Sequence, residues 1–166
     1  MIPTKITIHH EAGNNGFLAV NEYHKHKFNF KSLLGYFVGY QYYIDKSGKV
    51  YQARKDDEEG AHTKGYNQGN IGVCLQGNFD NEILSKIQIQ AIQELLQKKM
   101  NEYSITADNV KGHRAYRDTS CPGKNITDTD IRAWANGAGQ LSALQKMVDE
   151  LKKQIEDLMR KLGLLK

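Results

Sequence analysis

The unbroken apolar run Ile71-Gly72-Val73-Cys74-Leu75 reads as a strand buried in the middle of a sheet, with Cys74 as core filler. A strand of that kind has to be covered on both faces. The segment Lys5-Ile6-Thr7-Ile8-His9-His10 reads as another strand, in which Ile6 and Ile8 alternate with Thr7 and His9, so that one face is apolar and His9 leaves from the other. Tyr36 to Ile44 is aromatic and β-branched; the turn Asp45-Lys46-Ser47-Gly48 and the extended stretch Val50-Tyr51-Gln52-Ala53 follow, which predicts a β-hairpin. Val110-Lys111-Gly112 is a further short strand. Between the strands, Ser85 through Tyr103 carries Ile87, Ala91, Leu95 and Met100 or Tyr103 near helical spacing, widened by Ile92 and Leu96. Residues 14–34 are polar and mixed and predict a helix with loose bounds followed by a loop. Thr127-Asp128-Thr129-Asp130 has a capping-type start for a last helix through Trp134. Strands with helices between them predict an α/β fold: a mixed, partly parallel central sheet flanked by helices on both faces.

Composition narrows the function classes. The chain has 166 residues, enough for one domain of ordinary size plus a short appendage, and its net charge of +4 includes no Lys/Arg run of five. Nucleic acid is therefore not an expected partner. No apolar run approaches the ~20 residues of a membrane-spanning helix. Met1-Ile2-Pro3-Thr4-Lys5 leads straight into the first strand with no signal-peptide pattern, so synthesis in the cytoplasm is the expectation. With two cysteines, a disulfide framework is not expected.

The chemistry concentrates in Gly112-His113-Arg114-Ala115-Tyr116-Arg117-Asp118-Thr119-Ser120-Cys121-Pro122-Gly123, a loop-forming run that holds a His and a Cys where no helical or strand period explains them. Imidazole and thiolate suit zinc, whose catalytic sites take three protein ligands and keep one position open. His9, at the end of a rigid strand, is the best source of the third ligand. Each residue alone also fits a plainer account, His113 as a surface histidine and Cys121 as a small buried residue. His24 and His26 lie two apart and share no helix face, so both are expected on the solvated surface. Asp56 to Gly69, acidic at its start and glycine-rich, reads as a long loop of the kind that carries function.

The chain resembles the zinc amidases that cleave N-acetylmuramoyl-L-alanine in peptidoglycan, the family shared by phage lysozyme-type amidases and peptidoglycan recognition proteins. The resemblance is carried by Ile8-His9-His10, Gly39-Tyr40-Gln41-Tyr42-Tyr43-Ile44, Asp45 to Tyr51, Gly60-Ala61-His62-Thr63-Lys64-Gly65-Tyr66-Asn67, Ile71 to Leu75, Gly77-Asn78-Phe79 and the Gly112 to Gly123 run. It implies Zn²⁺ held by His9, His113 and Cys121, with an open position for the water that attacks the amide. It also implies Tyr40 beside that water, Thr119 as a second donor to the developing oxyanion, and His62, Thr63 and Asn67 facing the substrate groove, with a fourth metal ligand as the alternative role for His62. Thr119 agrees with recognition-protein amidases and departs from phage members that carry lysine there. The implied function is amide hydrolysis in bacterial peptidoglycan by a phage or prophage endolysin, which reaches the cell wall after release by a separate membrane-permeabilising protein. A cytoplasmic muropeptide-recycling amidase and a non-catalytic peptidoglycan-binding module are the alternatives, and Cys121 speaks against the latter. A mild positive charge helps approach to an anionic wall.

The remainder sets the domain plan: residues 1–136 as the amidase catalytic domain, 137–140 as a Gly-rich linker, and 141–166 as an amphipathic coiled-coil helix. Leu141, Leu144, Val148, Leu151, Ile155, Leu158, Leu162 and Leu165 recur with strict 3-4 spacing, a heptad seam with both β-branched residues at the a position. It predicts a homo-oligomer through this helix, with two to four strands left open because Met147 and Met159 widen the seam. Packing against its own domain and lying on a membrane are the competing uses of such a helix.

Overall fold

The computed structural model describes the backbone of residues 1–164 and the side chains of residues 1–137, 148, 150–160 and 162–164. Five strands form one sheet: β1 (Lys5–His10), β2 (Tyr42–Ile44), β3 (Val50–Gln52), β4 (Asn70–Leu75) and β5 (Val110–Gly112), in the spatial order β3-β2-β4-β1-β5. β1 pairs parallel with both β4 and β5, β2 pairs parallel with β4, and the β2–β3 hairpin is the antiparallel edge. The helices are α1 (Phe17–Phe28), α2 (Lys86–Tyr103) and α3 (Asp128–Lys161). This is the mixed, partly parallel, helix-flanked sheet expected of the sequence.

The alternation in β1 separates the faces. Ile6 and Ile8 join Ile71, Val73 and Leu75 in the larger core under α2 and the start of α3, where Ile92, Leu96, Ile131 and Trp134 meet them. The other face carries a smaller cluster of Phe17, Val20, Val38, Tyr43, Ala53 and Cys74, covered by α1 and the segment before β2. Thr7 and His9 belong to that second face, where the β1–β4 register sets them beside Gly72 and Cys74. A strand that is apolar on one side therefore delivers His9 to the thinner side of the molecule.

Several local expectations are corrected. The strand expected from Tyr36 is confined to Tyr42–Ile44, because Gly39 donates its N–H to His24 Nδ1 (2.9 Å) and accepts from Ala61 N (2.8 Å), bonds that fix it outside the ladder. His24, expected on the surface, is buried for the same reason, while His26 is exposed as expected. In α2, capped by Ser85, Ile87 points to solvent and the buried stripe is Gln88, Ala91, Ile92, Leu95, Leu96 and Lys99. Two polar residues hold seam positions because each has a hydrogen-bond partner: Gln88 Nε2 donates to Gln76 O (2.9 Å), and Lys99 Nζ to Asp56 Oδ2 (2.5 Å). Helix α3 opens on the expected capping box, Thr127 with Asp130, and continues as helix through 137–140 where an interruption was expected. A glycine in a helix costs only about 1 kcal/mol against alanine, so good helix formers on either side can carry the backbone across it.

The Asp56–Lys99 pair is an expected stability hot spot. Both side chains are 7% exposed, and Tyr42 and Tyr103 hydroxyls donate to the same carboxylate at 2.6 and 3.0 Å. Lys99→Met strands a buried carboxylate and should lower unfolding free energy by about 3–5 kcal/mol in urea titration. A loss below about 1 kcal/mol would mean that water screens the pair.

Candidate metal centre

The sheet register builds the site. Ile8 pairs with Gly112, so the residues that follow, His9 at the end of β1 and His113 just past β5, sit side by side with ring centroids 4.5 Å apart. The loop after His113 turns back under Arg114, whose backbone N–H donates to Cys121 O (3.0 Å). Arg114 Nη2 is shared among the carbonyls of Ser120 (3.2 Å), Gly123 (2.5 Å) and Ile126 (2.9 Å). That guanidinium pins the loop and sets Cys121 Sγ 3.7 Å from His9 Nδ1.

Ligand atoms of His9, His113 and Cys121 lie within 4.8 Å of one another, and among the described residues no other trio of His, Cys, Asp or Glu comes so close. The N···S separation of 3.7 Å matches the ~3.6 Å that a zinc ion would impose with bonds of about 2.05 and 2.3 Å at a tetrahedral angle. Protonation agrees with that use. Burial, reinforced by His62 and His113, holds His9 well below the usual histidine range, and burial with Arg117 nearby lowers His113, so both imidazoles are neutral. Burial pushes the Cys121 thiol up to about 11, so a thiolate here needs a cation beside it. The residues present fit zinc.

Tyr40 stands against the ligands, its ring centroid 5.1 Å from that of His9 and 5.5 Å from that of His24. Burial, with Cys74 and Cys121 nearby, raises its hydroxyl well above the ordinary tyrosine value, which keeps the O–H as a donor. It lines a cavity of roughly 500 Å³ together with Glu11, Asn15, Tyr23, His24 and Cys74. Thr119 is exposed, and its Oγ1 accepts from Cys121 N–H (3.2 Å), leaving the hydroxyl proton free to donate outward.

Of the three residues expected to face substrate, His62 and Asn67 are half-buried, and all three make hydrogen bonds within the protein. Thr63 is fully buried, with Oγ1 3.3 Å from His9 Nε2. His62 spends Nδ1 on His9 Nε2 (3.1 Å) and Thr63 Oγ1 (2.9 Å), and Nε2 on Asn70 O (3.2 Å). Asn67 Oδ1 accepts from the backbone N–H groups of His62 (3.1 Å) and Thr63 (2.7 Å), so it braces the loop. Burial lowers His62 to about 3. Sequence reasoning also missed the supports: Arg114, Glu11, which accepts from the Tyr43 hydroxyl (2.6 Å), and fully buried Arg54, which donates to Val38 O (2.7 Å) and Phe30 O. Their partners are mostly backbone carbonyls, which leave no residue-type pattern to read.

Residues 1–124 match the family model described as N-acetylmuramoyl-L-alanine amidase. The chain is 32% identical to peptidoglycan-recognition protein SC2 of Drosophila melanogaster over 139 residues, 78% of this chain and 72% of that protein. Among solved structures it is similar to the endolysin N-acetylmuramoyl-L-alanine amidase LysCS from Clostridium intestinale URNW, with 32% identity, 81% of this chain and 84% of that one covered, and a TM-score of 0.72. It is also similar to the complex of tracheal cytotoxin with the peptidoglycan recognition proteins LCa and LCx, with 28% identity, coverage of 80% and 82%, and a TM-score of 0.68. With a family match over most of its length and the sheet and ligand geometry above, the chain belongs to the N-acetylmuramoyl-L-alanine amidase family.

Proposed function

We propose that this chain is a zinc-dependent N-acetylmuramoyl-L-alanine amidase that hydrolyses the amide between N-acetylmuramic acid and L-alanine in bacterial peptidoglycan, as a phage or prophage endolysin. The observation that carries the reading is the His9, His113 and Cys121 donor set within 4.8 Å. The endolysin relative supports the lytic role, and the cytotoxin complex supports a muropeptide-type ligand. In this role the chain is made in the cytoplasm and acts on the wall after release.

Zinc held by these residues would supply Lewis-acid polarisation of the scissile carbonyl and an acidified water, toward pKa ~7. With two neutral imidazoles and one thiolate as its holders, Zn²⁺ would keep a net positive charge at the site. The Tyr40 O–H, kept protonated by burial and placed beside His9, would orient the attacking water and offer a proton to the leaving amine. Thr119, its oxygen fixed by Cys121 N–H, donates to the carbonyl oxygen as negative charge develops there.

The test is purified cell walls and a soluble muropeptide offered in parallel, scored for new L-alanine amino groups, with and without chelation and zinc replacement. Chelator-sensitive release from walls supports the lytic amidase; release from the soluble substrate alone favours recycling. Wall binding with no new amino groups would make the chain a binding module. Tyr40→Phe should lower kcat roughly 10²-fold with zinc content unchanged. An unchanged kcat would return Tyr40 to a packing role.

A further inference from the structure

We propose that His62 and Thr63 are positioning residues that hold His9 in the tautomer with its proton on Nε2, leaving Nδ1 bare toward Cys121 and the metal. The inference rests on the zinc-amidase reading and concerns how the apoprotein readies one ligand.

The tautomer follows from a chain of acceptors. His62 Nε2 lies 3.2 Å from Asn70 O, and a carbonyl only accepts, so that nitrogen bears the hydrogen. No acid is among the hydrogen-bond partners of His62 to hold a second proton, so its Nδ1 is a bare acceptor. An N···N contact of 3.1 Å between His62 Nδ1 and His9 Nε2 needs one hydrogen between them, and it must come from His9. Thr63 Oγ1 stands 2.9 Å from His62 Nδ1 and 3.3 Å from His9 Nε2, placed to donate to the first and accept from the second. The opposite His9 tautomer would set two bare nitrogens against each other and aim an N–H at the cation. At 1% exposure, His9 has no water to replace these partners.

The surrounding sequence clears room for this strut. A Cβ on Gly72 would come within 2.7 Å of the His62 ring, and one on Gly60 within 2.5 Å. The glycines of Gly60-Ala61-His62-Thr63 and Ile71-Gly72-Val73 thus serve a ring set edge-on to the ligand, with centroids 5.1 Å apart and planes at 84°. With both nitrogens of His62 spent inward, little is left for a substrate.

The experiment uses the full chain. Ring-¹⁵N spectra of the zinc-free protein should show His9 protonated on Nε2; protonation on Nδ1 would overturn the proposal without any variant. Zinc affinity, measured by competition with a chromophoric chelator, should fall roughly 10- to 100-fold in His62→Ala and in Gly72→Ala, which keeps every donor, and less in Thr63→Val. Urea midpoints check that each variant is folded. Unchanged zinc affinity with only KM raised would make His62 a substrate contact and overturn the proposal. A wild-type chain that binds no zinc would remove the zinc reading as well, whereas wild-type binding matched by the variants removes only this inference.

Discussion

Cys121→Ser should abolish zinc-dependent turnover while leaving a folded domain. Among the three proposed ligands, Cys121 alone brings a negative charge to zinc, and a hydroxyl in its place is a harder, neutral and weaker donor. Loss of partners one shell further out typically costs 10- to 100-fold in metal affinity or activity, so loss of a ligand should exceed about 100-fold in kcat/KM. The fold should survive, because Cys121 lies on a loop held by Arg114 and outside both apolar clusters. The thiol also costs the apoprotein something: burial raises it to about 11, so metal binding must displace a proton near neutral pH. Zinc content by elemental analysis and urea midpoints, measured together, check the prediction. A variant that kept stoichiometric tight zinc and near wild-type turnover would sink the ligand assignment. So would full activity in the wild type after exhaustive chelation.

How much of this could be read beforehand depended on whether the signal was local. Strands β1, β4 and β5 and the cap of α3 announce themselves through alternation, apolar runs and the Thr127–Asp130 spacing, all short-range patterns. Residues His9, His113 and Cys121 were legible as chemistry, and it took the parallel β1–β5 register to bring them together. What the sequence hid was the polar interior. Lys99 reads as surface until Asp56, 43 positions away, is placed against it. His24 reads as solvated until Gly39 N–H arrives at its ring. His62, Thr63 and Asn67 stand out as a motif, but the hydrogen bonds that tie them to His9, to Asn70 and to their own loop are long-range or backbone contacts that a motif does not spell out.

The other large effect should come from removing the tail: a truncation ending at Asn136 is expected to be monomeric and to need roughly 10²-fold more enzyme for the same lysis. Its motive is the seam. Val148, Leu151, Ile155, Leu158 and Leu162, alternating between a and d positions, are between 41% and 64% exposed, so they find no cover on their own domain. Leu141, Leu144, Met147 and Leu165 lie outside the described side chains. We propose that a second copy of the same helix supplies the cover. Five large apolar side chains in 3-4 register are the self-complementary surface that a coiled coil buries, and in the described helix α3 is backbone-continuous across residues 137–140. A membrane surface is the weaker occupant, since Lys146, Lys152, Lys153, Arg160, Lys161 and Lys166 outnumber Asp149, Glu150, Glu156 and Asp157 by only two. About three and a half heptads are short, so association should be modest and concentration-dependent. Linking catalytic domains on one polymeric substrate turns the second encounter into an intramolecular one, and gains of 10²–10⁴ in avidity are typical when the geometry permits. Sedimentation of the full chain against the truncation, beside dose-response curves for wall lysis, decides both points. A full chain that stays monomeric at high micromolar concentration would remove the coiled coil. Equal lysis by the truncation at low dose would leave the seam without a role in avidity, and soluble-muropeptide turnover, which involves a single site, should be the same for both forms.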